Sequence, residues 1–299
     1  MNITIPASQE MVNLYQSRFS PSTVHCKNTG LVDYYTRYLL QKVISVYQFD
    51  GIPENWDKDF FTYVLFGLGY VAVVNTDRFG VIPQACGLTG YNVFYRPNKV
   101  IITNPLISNG AMTDLIIGRD CSLIKMQPDY GSIMDMISMY ADLMALSLET
   151  ASVNLLNSKL SYVFTAENKA MAESFKAMYD RMSSGDPMVV LDKNLFRDDG
   201  QRSWDAFNQN VGANYIVTDI LNDMKSIEDR FNTDIGIPNA NTQKRERLVT
   251  DEVNVNNVDT QSKVLLWLDT ISKGLQQTNE LFNLNLSVRY RYAQEVSYE

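Results

Sequence analysis

Apolar positions recur along this chain with two different periods, and the changes of period mark its organisation. Residues 1–30 are polar and weakly patterned, with a short helical candidate over Met11 to Arg18, and read as an N-terminal arm. Leu31, Tyr34, Tyr35, Tyr38, Leu39, Val43 and Val46 then follow helical spacing up to Tyr47. Asp50-Gly51-Ile52-Pro53 stops that helix, and Asn55 is expected to cap a second one running to about Gly67. A β-rich block follows. Strands are expected over Tyr70 to Asn75, Val81 to Cys86, Asn92 to Tyr95 and Val100 to Thr103, punctuated by Gly, Pro, Asn and Asp. Gly67-Leu68-Gly69 and Gly87-Leu88-Thr89-Gly90 read as tight turns beside strands, being too short and apolar to cradle phosphate.

The period changes at Gly131. Ile133, Met136, Ile137, Tyr140, Met144, Leu148, Ala151 and Leu155 repeat every three or four residues, while Asp135, Ser138, Asp142 and Glu149 fall off that stripe. The expected helix fills 131–160 and is roughly 40 Å long at about 1.5 Å per residue. Ser161 to Thr165 reads as a strand, Glu167 to Met182 as a helix, Pro187 to Leu191 as a strand and Lys193 to Gln209 as irregular chain. A second long helix, 212–235, carries the stripe Ile216, Ile220, Met224, Ile227 and Phe231. Gly236 and Pro238 form its stop signal. Residues 236–255 read as a loop. A third long helix spans 256–283, and Leu284 to Tyr292 alternates with period two, as an edge strand does. The class is α+β.

Composition narrows the function. Of 299 residues, 26 are Lys or Arg and 34 are Asp or Glu, giving a net charge of −8 that argues against a tight, strongly basic nucleic-acid binder. No apolar run approaches the roughly 18–20 residues of a membrane span, and the N-terminus lacks secretory-signal patterning. Cys26, Cys86 and Cys121 have no CxxC spacing, so buried free thiols in a reducing cytoplasm are expected, with neither zinc nor disulfides. His25 is the only histidine, which excludes HExxH zinc sites; it reads as a surface loop residue. There is no GxxxxGK[ST] loop, so the chain does not hydrolyse ATP through a P-loop. No cofactor is expected.

Charge is unevenly spread. Helix 131–160 sets Asp135, Asp142 and Glu149 against Lys159, a net of −2; segment 212–235 sets Asp219, Asp223, Glu228, Asp229 and Asp234 against Lys225 and Arg230, a net of −3. The loop after it gathers Lys244, Arg245 and Arg247 and then Asp251 and Glu252. By itself such a loop is most simply a solvated linker. Two adjacent carboxylates are a weak metal signal, so a metal-dependent nucleic-acid-processing enzyme is a minor alternative, and a helical scaffold or adaptor that never touches DNA is another.

The stretch Gly236-Ile237-Pro238-Asn239-Ala240-Asn241, then Lys244-Arg245-Glu246-Arg247 and Val249-Thr250-Asp251-Glu252-Val253, resembles the tunnel-loop region of the head–tail connectors (upper collar or portal proteins) of phi29-type podophages. Asn279 to Leu286 and Val288 to Tyr292 are similar to that family's closing helix and strand, and Cys86 to Gly90 to its small-domain turn. The resemblance implies a phage portal fold: a wing over 31–130 with a small β domain, a first stem helix over 131–160, and an α/β clip over 161–211 to which the terminal strand would add. A channel helix over 212–235, a tunnel loop over 236–255, a third helix over 256–283 and a terminal strand and tail over 284–299 complete it.

It implies a homo-oligomeric ring, twelve subunits in the family, at one capsid vertex of the virion, assembled in the host cytoplasm. Double-stranded DNA would pass through the ring during packaging and ejection. The implied partners are a packaging ATPase, the major capsid protein and lower collar or tail proteins. In that setting Asp219, Asp223, Asp135 and Asp142 become candidates for an acidic channel wall that repels phosphates, and Lys244, Arg245 and Arg247 for a basic collar that grips them. Two departures stand out. Where family members can carry lysines on the channel helix, this chain has Asn208 and Asp219. The arm carries only Arg18 and Lys27 against Glu10, so binding of a packaging RNA is unsupported.

Overall fold

Asn28 starts the first helix: its side-chain oxygen accepts a hydrogen bond from the Leu31 N–H, satisfying a donor that the first turn leaves free. The computed structural model describes residues 24–107, 112–158, 162–166, 169–183, 204–208, 215–238 and 250–292. The helical candidate at Met11 to Arg18 and the strand at Pro187 to Leu191 lie outside them. Two units are present, Met1–Leu146 with Met224–Glu299, and Ser147–Asp223.

In the first unit, helix α1 (Thr29–Val46) buries Tyr35, Leu39, Leu40, Val43 and Val46, the expected stripe. The chain then turns extended at Tyr47 and forms strand β1 (Tyr47–Asp50), where the apolar spacing predicts only the end of the helix and its stop. Its antiparallel partner is β10 (Ser287–Tyr290), with Tyr47 opposite Tyr290. The terminal strand, expected to add to the clip, therefore pairs within the first unit beside the end of α1. Gly51, at φ +73°, allows this: a Cβ there would lie 1.9 Å from the Asn285 carbonyl oxygen. Helix α2 (Lys58–Leu68) is capped by Asp57, not Asn55; the Asp57 carboxylate accepts from the Phe60 N–H at 2.9 Å. Asn55 instead donates to the Phe79 and Val81 carbonyls, and the Trp56 indole also donates to Val81.

The β block is two three-stranded antiparallel sheets. One runs β3-β2-β7, with β2 Tyr70–Thr76, β3 Gly80–Gln84 and β7 Cys121–Lys125; the other runs β4-β5-β6, with β4 Gly87–Tyr91, β5 Pro97–Ile102 and β6 Met112–Ile116. The supposed turn at Gly87 to Gly90 is thus a strand, and the supposed strand at Asn92 to Tyr95 is the turn that follows it. Ala72, Val74, Val100, Ile102, Cys121 and Leu123 form the core between the sheets. The opposite face of β7 packs on helix α6 (Thr250–Phe282), and Val71-Ala72-Val73-Val74 on the neighbouring β2 is buried throughout. There Ser122 and Thr278 share a buried hydrogen bond of 2.8 Å, and Gly274 brings the helix backbone against Ile124. Burial pushes the Cys86 and Cys121 thiols up to about 12, which keeps them protonated and inert; Cys86 is only half-buried.

Helix α3 (Met134–Asn157) begins in the first unit and ends in the second. The second unit contains β8 (Tyr162–Ala166), helix α4 (Lys169–Ser183) with Phe175 buried, and β9 (Trp204–Asn208), a strand in a stretch expected to be irregular. β8 and β9 are antiparallel, with Tyr162 opposite Asn208. Helix α5 (Val217–Asp234) starts here, and the Ile216 N–H just before it donates to the Asn154 side chain near the end of α3.

In the first unit the C-terminal half of α5 is clamped to α1. Lys42 and the Tyr38 hydroxyl both donate to the Glu228 carboxylate, Tyr38 at 2.6 Å, and Lys42 also reaches Asn232 at 3.0 Å. Partial burial disfavours the ionised Glu228, but the bonds from Lys42 and Tyr38 and the Lys42 charge outweigh it and hold the carboxyl below its usual range. A depressed carboxyl stabilises the fold above its unfolded value, and that contribution disappears as pH falls through the folded value.

Glu228→Gln is therefore expected to lose about 1.5–3 kcal/mol at neutral pH, the scale of hydrogen bonds to a charged group. Urea titrations should show the gap to the parent closing below about pH 4; a gap that is constant with pH contradicts the clamp. For Gly274→Ala, the new Cβ would lie 2.8 Å from the Ile124 Cα. Overpacking of about 1–3 kcal/mol should outweigh the ~1 kcal/mol gain in helix propensity. A raised unfolding midpoint would contradict that close contact.

Candidate nucleic-acid interface

The acidic residues on α3 and α5 separate into two kinds. Asp219 and Asp223 are exposed and sit four residues apart on one face of α5. Such like-charged pairs cost a helix about 0.2–0.5 kcal/mol, partly offset here because Asp219 occupies the first turn, where the macrodipole favours an anion. Asp135 is likewise exposed in the first turn of α3. Glu228 and Asp234 instead make contacts within the subunit. Glu228 is clamped to α1. Asp234 accepts from the Tyr140 hydroxyl at 2.7 Å, with Lys263 at 3.9 Å. Burial first, and then that bond to Asp234, raises the Tyr140 pKa, while its ring packs edge-on against Phe231.

Asp142 departs from expectation. Its residue is only 6 % exposed, and its carboxylate lies 2.8 Å from His25 Nδ1. A buried carboxylate bonded to an imidazole does not present charge to solvent, so Asp142 does not belong with Asp135, Asp219 and Asp223. His25, read as a free loop residue, ties the lead-in chain to α3. The only hint in the sequence is that Asp142 follows Tyr140 and Ala141 and precedes Met144 and Ala145, all buried, so the buried arc of α3 is wider than a single stripe.

Lys244, Arg245 and Arg247 lie outside the described residues. What is described is how both ends of their segment are held. At the N-terminal end, Gly236 takes φ +85°; its N–H donates to the Thr233 carbonyl at 3.1 Å and the Ile237 N–H to Asn232 at 2.8 Å, the paired bonds of a Schellman stop. A Cβ on Gly236 would lie 2.2 Å from Val264 Cγ2 of α6. The Tyr290 hydroxyl donates to the Gly236 carbonyl, and the Tyr47 hydroxyl donates to the Val264 carbonyl at 3.3 Å. Burial raises the pKa of both phenols, so they remain donors at any ordinary pH. At the other end, α6 begins at Thr250, six residues before the expected start, and takes Asp251 and Glu252 into its first turn. The interval is thus 239–249, whose contour of at most about 40 Å starts and ends on fixed structure.

Among the described residues, no three of His, Cys, Asp and Glu are grouped to hold a metal ion, and no helix is long and apolar enough to cross a membrane.

Among solved structures, the chain is similar to one in the portal and tail of native bacteriophage P68, at 16% identity and TM-score 0.45, covering 88% of this chain and 87% of that one. A chain in the neck of an empty gene transfer agent particle is 12% identical, TM-score 0.44, covering 97% and 86% respectively. A chain in the virion of a native gene transfer agent particle is 11% identical, TM-score 0.41, covering 96% and 90%. These likenesses are too distant to carry an argument. The family comparison is not: Phage Connector (GP10) matches residues 22–295, nearly the whole length of the chain. The protein belongs to the phage connector family.

Proposed function

We propose that the protein acts as a portal: a ring of identical subunits at one vertex of the virion, through which double-stranded DNA enters during packaging and leaves at ejection. Family membership supports the connector role. The observation that carries the DNA-conducting part is the order of charge along one helix and its exit. Asp219 and Asp223 stand exposed on α5, the clamp at Glu228 and the stop at Gly236 fix the end of that helix, and the chain then delivers Lys244, Arg245 and Arg247 within eleven residues. In a ring, the exposed acids repeat as a wall of the same sign as DNA. Few ion pairs then have to break as the duplex slides. The three cations repeat as one positive collar whose phosphate contacts are independent of sequence and weakened by salt.

Asp135 joins the wall in this reading and Asp142 does not, its charge being engaged by His25. The chain is structural and carries no catalysis; work on the DNA comes from a separate packaging ATPase. Twelve copies form the ring, as the resemblance implies. The capsid protein surrounds it and lower collar or tail proteins dock beneath. A packaging RNA is not among the partners proposed, given an arm with only Arg18 and Lys27 as cations.

Replacing Lys244 and Arg245 with Ala is expected to leave ring assembly intact and to lower retention of packaged DNA several-fold at low salt in an in vitro packaging reaction, with the gap to the parent narrowing as salt is raised. Rings that retain DNA as well as the parent would remove the loop from the account.

A further inference from the structure

The β4–β5 turn presents apolar side chains to solvent in a fixed shape. Val93 is 85% exposed and Phe94 77%, with Tyr91 and Tyr95 also exposed beside them. This is no loose tip. The Asn92 side-chain oxygen accepts from the Phe94 and Arg96 N–H groups at 2.9 and 3.1 Å, and the Asn92 N–H donates to the Arg96 carbonyl at 2.9 Å. Tyr95 is held at φ 55°, a left-handed conformation uncommon for an aromatic residue. A turn that rigid exposes its apolar side chains at little further entropic cost on binding.

A groove of about 350 Å³ lies at the other end of the same sheets. Phe60, Phe79, Ile82, Pro83, Leu106 and Ile107 give it an apolar lining, and Asp57 adds a carboxylate. Its far wall is a built turn: Asn104 donates to the Gln84 side chain at 2.9 Å and accepts from the Leu106 N–H at 3.0 Å. Phe60, Phe79 and Leu106 are exposed there.

We propose that the turn carrying Val93 and Phe94 inserts into this groove on a second copy of the same chain. Three observations select that occupant. Knob and groove match in character and size: two apolar side chains for an apolar cleft at the small end of the range for ligand sites, about 300–1,000 Å³. Their flanks match in charge, since Arg96 follows the knob and Asp57 lines the groove, with Glu54 and Asp59 near it in sequence. Strand β5 (Pro97–Ile102) separates them, the knob preceding it and the Asn104–Ile107 turn following it. Six extended residues span about 20 Å, so a subunit cannot fill its own groove. A self-complementary pair at opposite ends of one body joins copies head to tail, and such a contact closes into a ring when its rotation allows. The inference rests on the ring proposed above and names one contact that would hold it.

The test is the double variant Phe94→Cys/Leu106→Cys, with each single variant as control, oxidised after assembly and run on non-reducing gels, beside mass photometry of the unoxidised samples. Rings with dimers and higher ladders from the double variant alone are the expected result, because a disulfide needs Cα atoms within about 7 Å, which β5 forbids inside one subunit. Rings without ladders overturn the inference and leave the ring standing. Monomers alone from the parent chain overturn the ring and the inference with it.

Discussion

At Gly236 the backbone passes so close to α6 that a single methyl group would overlap Val264, and Tyr290 holds the same residue by its carbonyl. This approach depends on the whole first unit being assembled. Tyr290 is in place because β10 pairs with β1, and β1 exists because the chain turns extended directly after α1. Val264 is in place because α6 lies against β7, where Gly274 and the Ser122–Thr278 bond admit it. The segment that carries the three cations is therefore anchored through contacts far apart in sequence. In the proposed portal, a grip on DNA by this segment would transmit force to the core of the first unit.

The acidic balance takes on a different meaning once the carboxylates are sorted. Asp142, Glu228 and Asp234 spend their charge inside the subunit, on His25, on Lys42 and Tyr38, and on Tyr140. Asp135, Asp219 and Asp223 remain outward. A net charge of −8 argues against tight binding of DNA, yet it suits a conduit, where long-lived contacts would stall the duplex. The paired Asp219 and Asp223 fit the same logic, since local helix energetics alone would not favour them.

Much of this was legible in the sequence. The long helices follow from their apolar period, and the stop at Gly236 and Pro238 from local backbone chemistry, because both signals are contained within a few neighbouring residues. What failed was non-local or ambiguous. Gly87-Leu88-Thr89-Gly90 has the composition of a turn but is held as a strand by pairing to Val100 and Ile101 across the sheet. β7 carries no period-two signal, because Cys121 to Ile124 is buried throughout. The period of β10 shows a strand but not its partner, since Tyr290 stands opposite Tyr47, 243 positions away. At the candidate interface, Asp219 and Asp223 were visible as exposed acids. The fate of Asp142 depended on a histidine 117 residues distant, which no periodicity reveals.

The claim on which the rest turns is that copies of this chain enclose a passage for DNA. Negative-stain images of the purified full-length protein address it most directly. The account predicts closed rings with an axial hole wide enough for duplex DNA. Dispersed 34.0 kDa monomers, or assemblies with no axial opening, would contradict it.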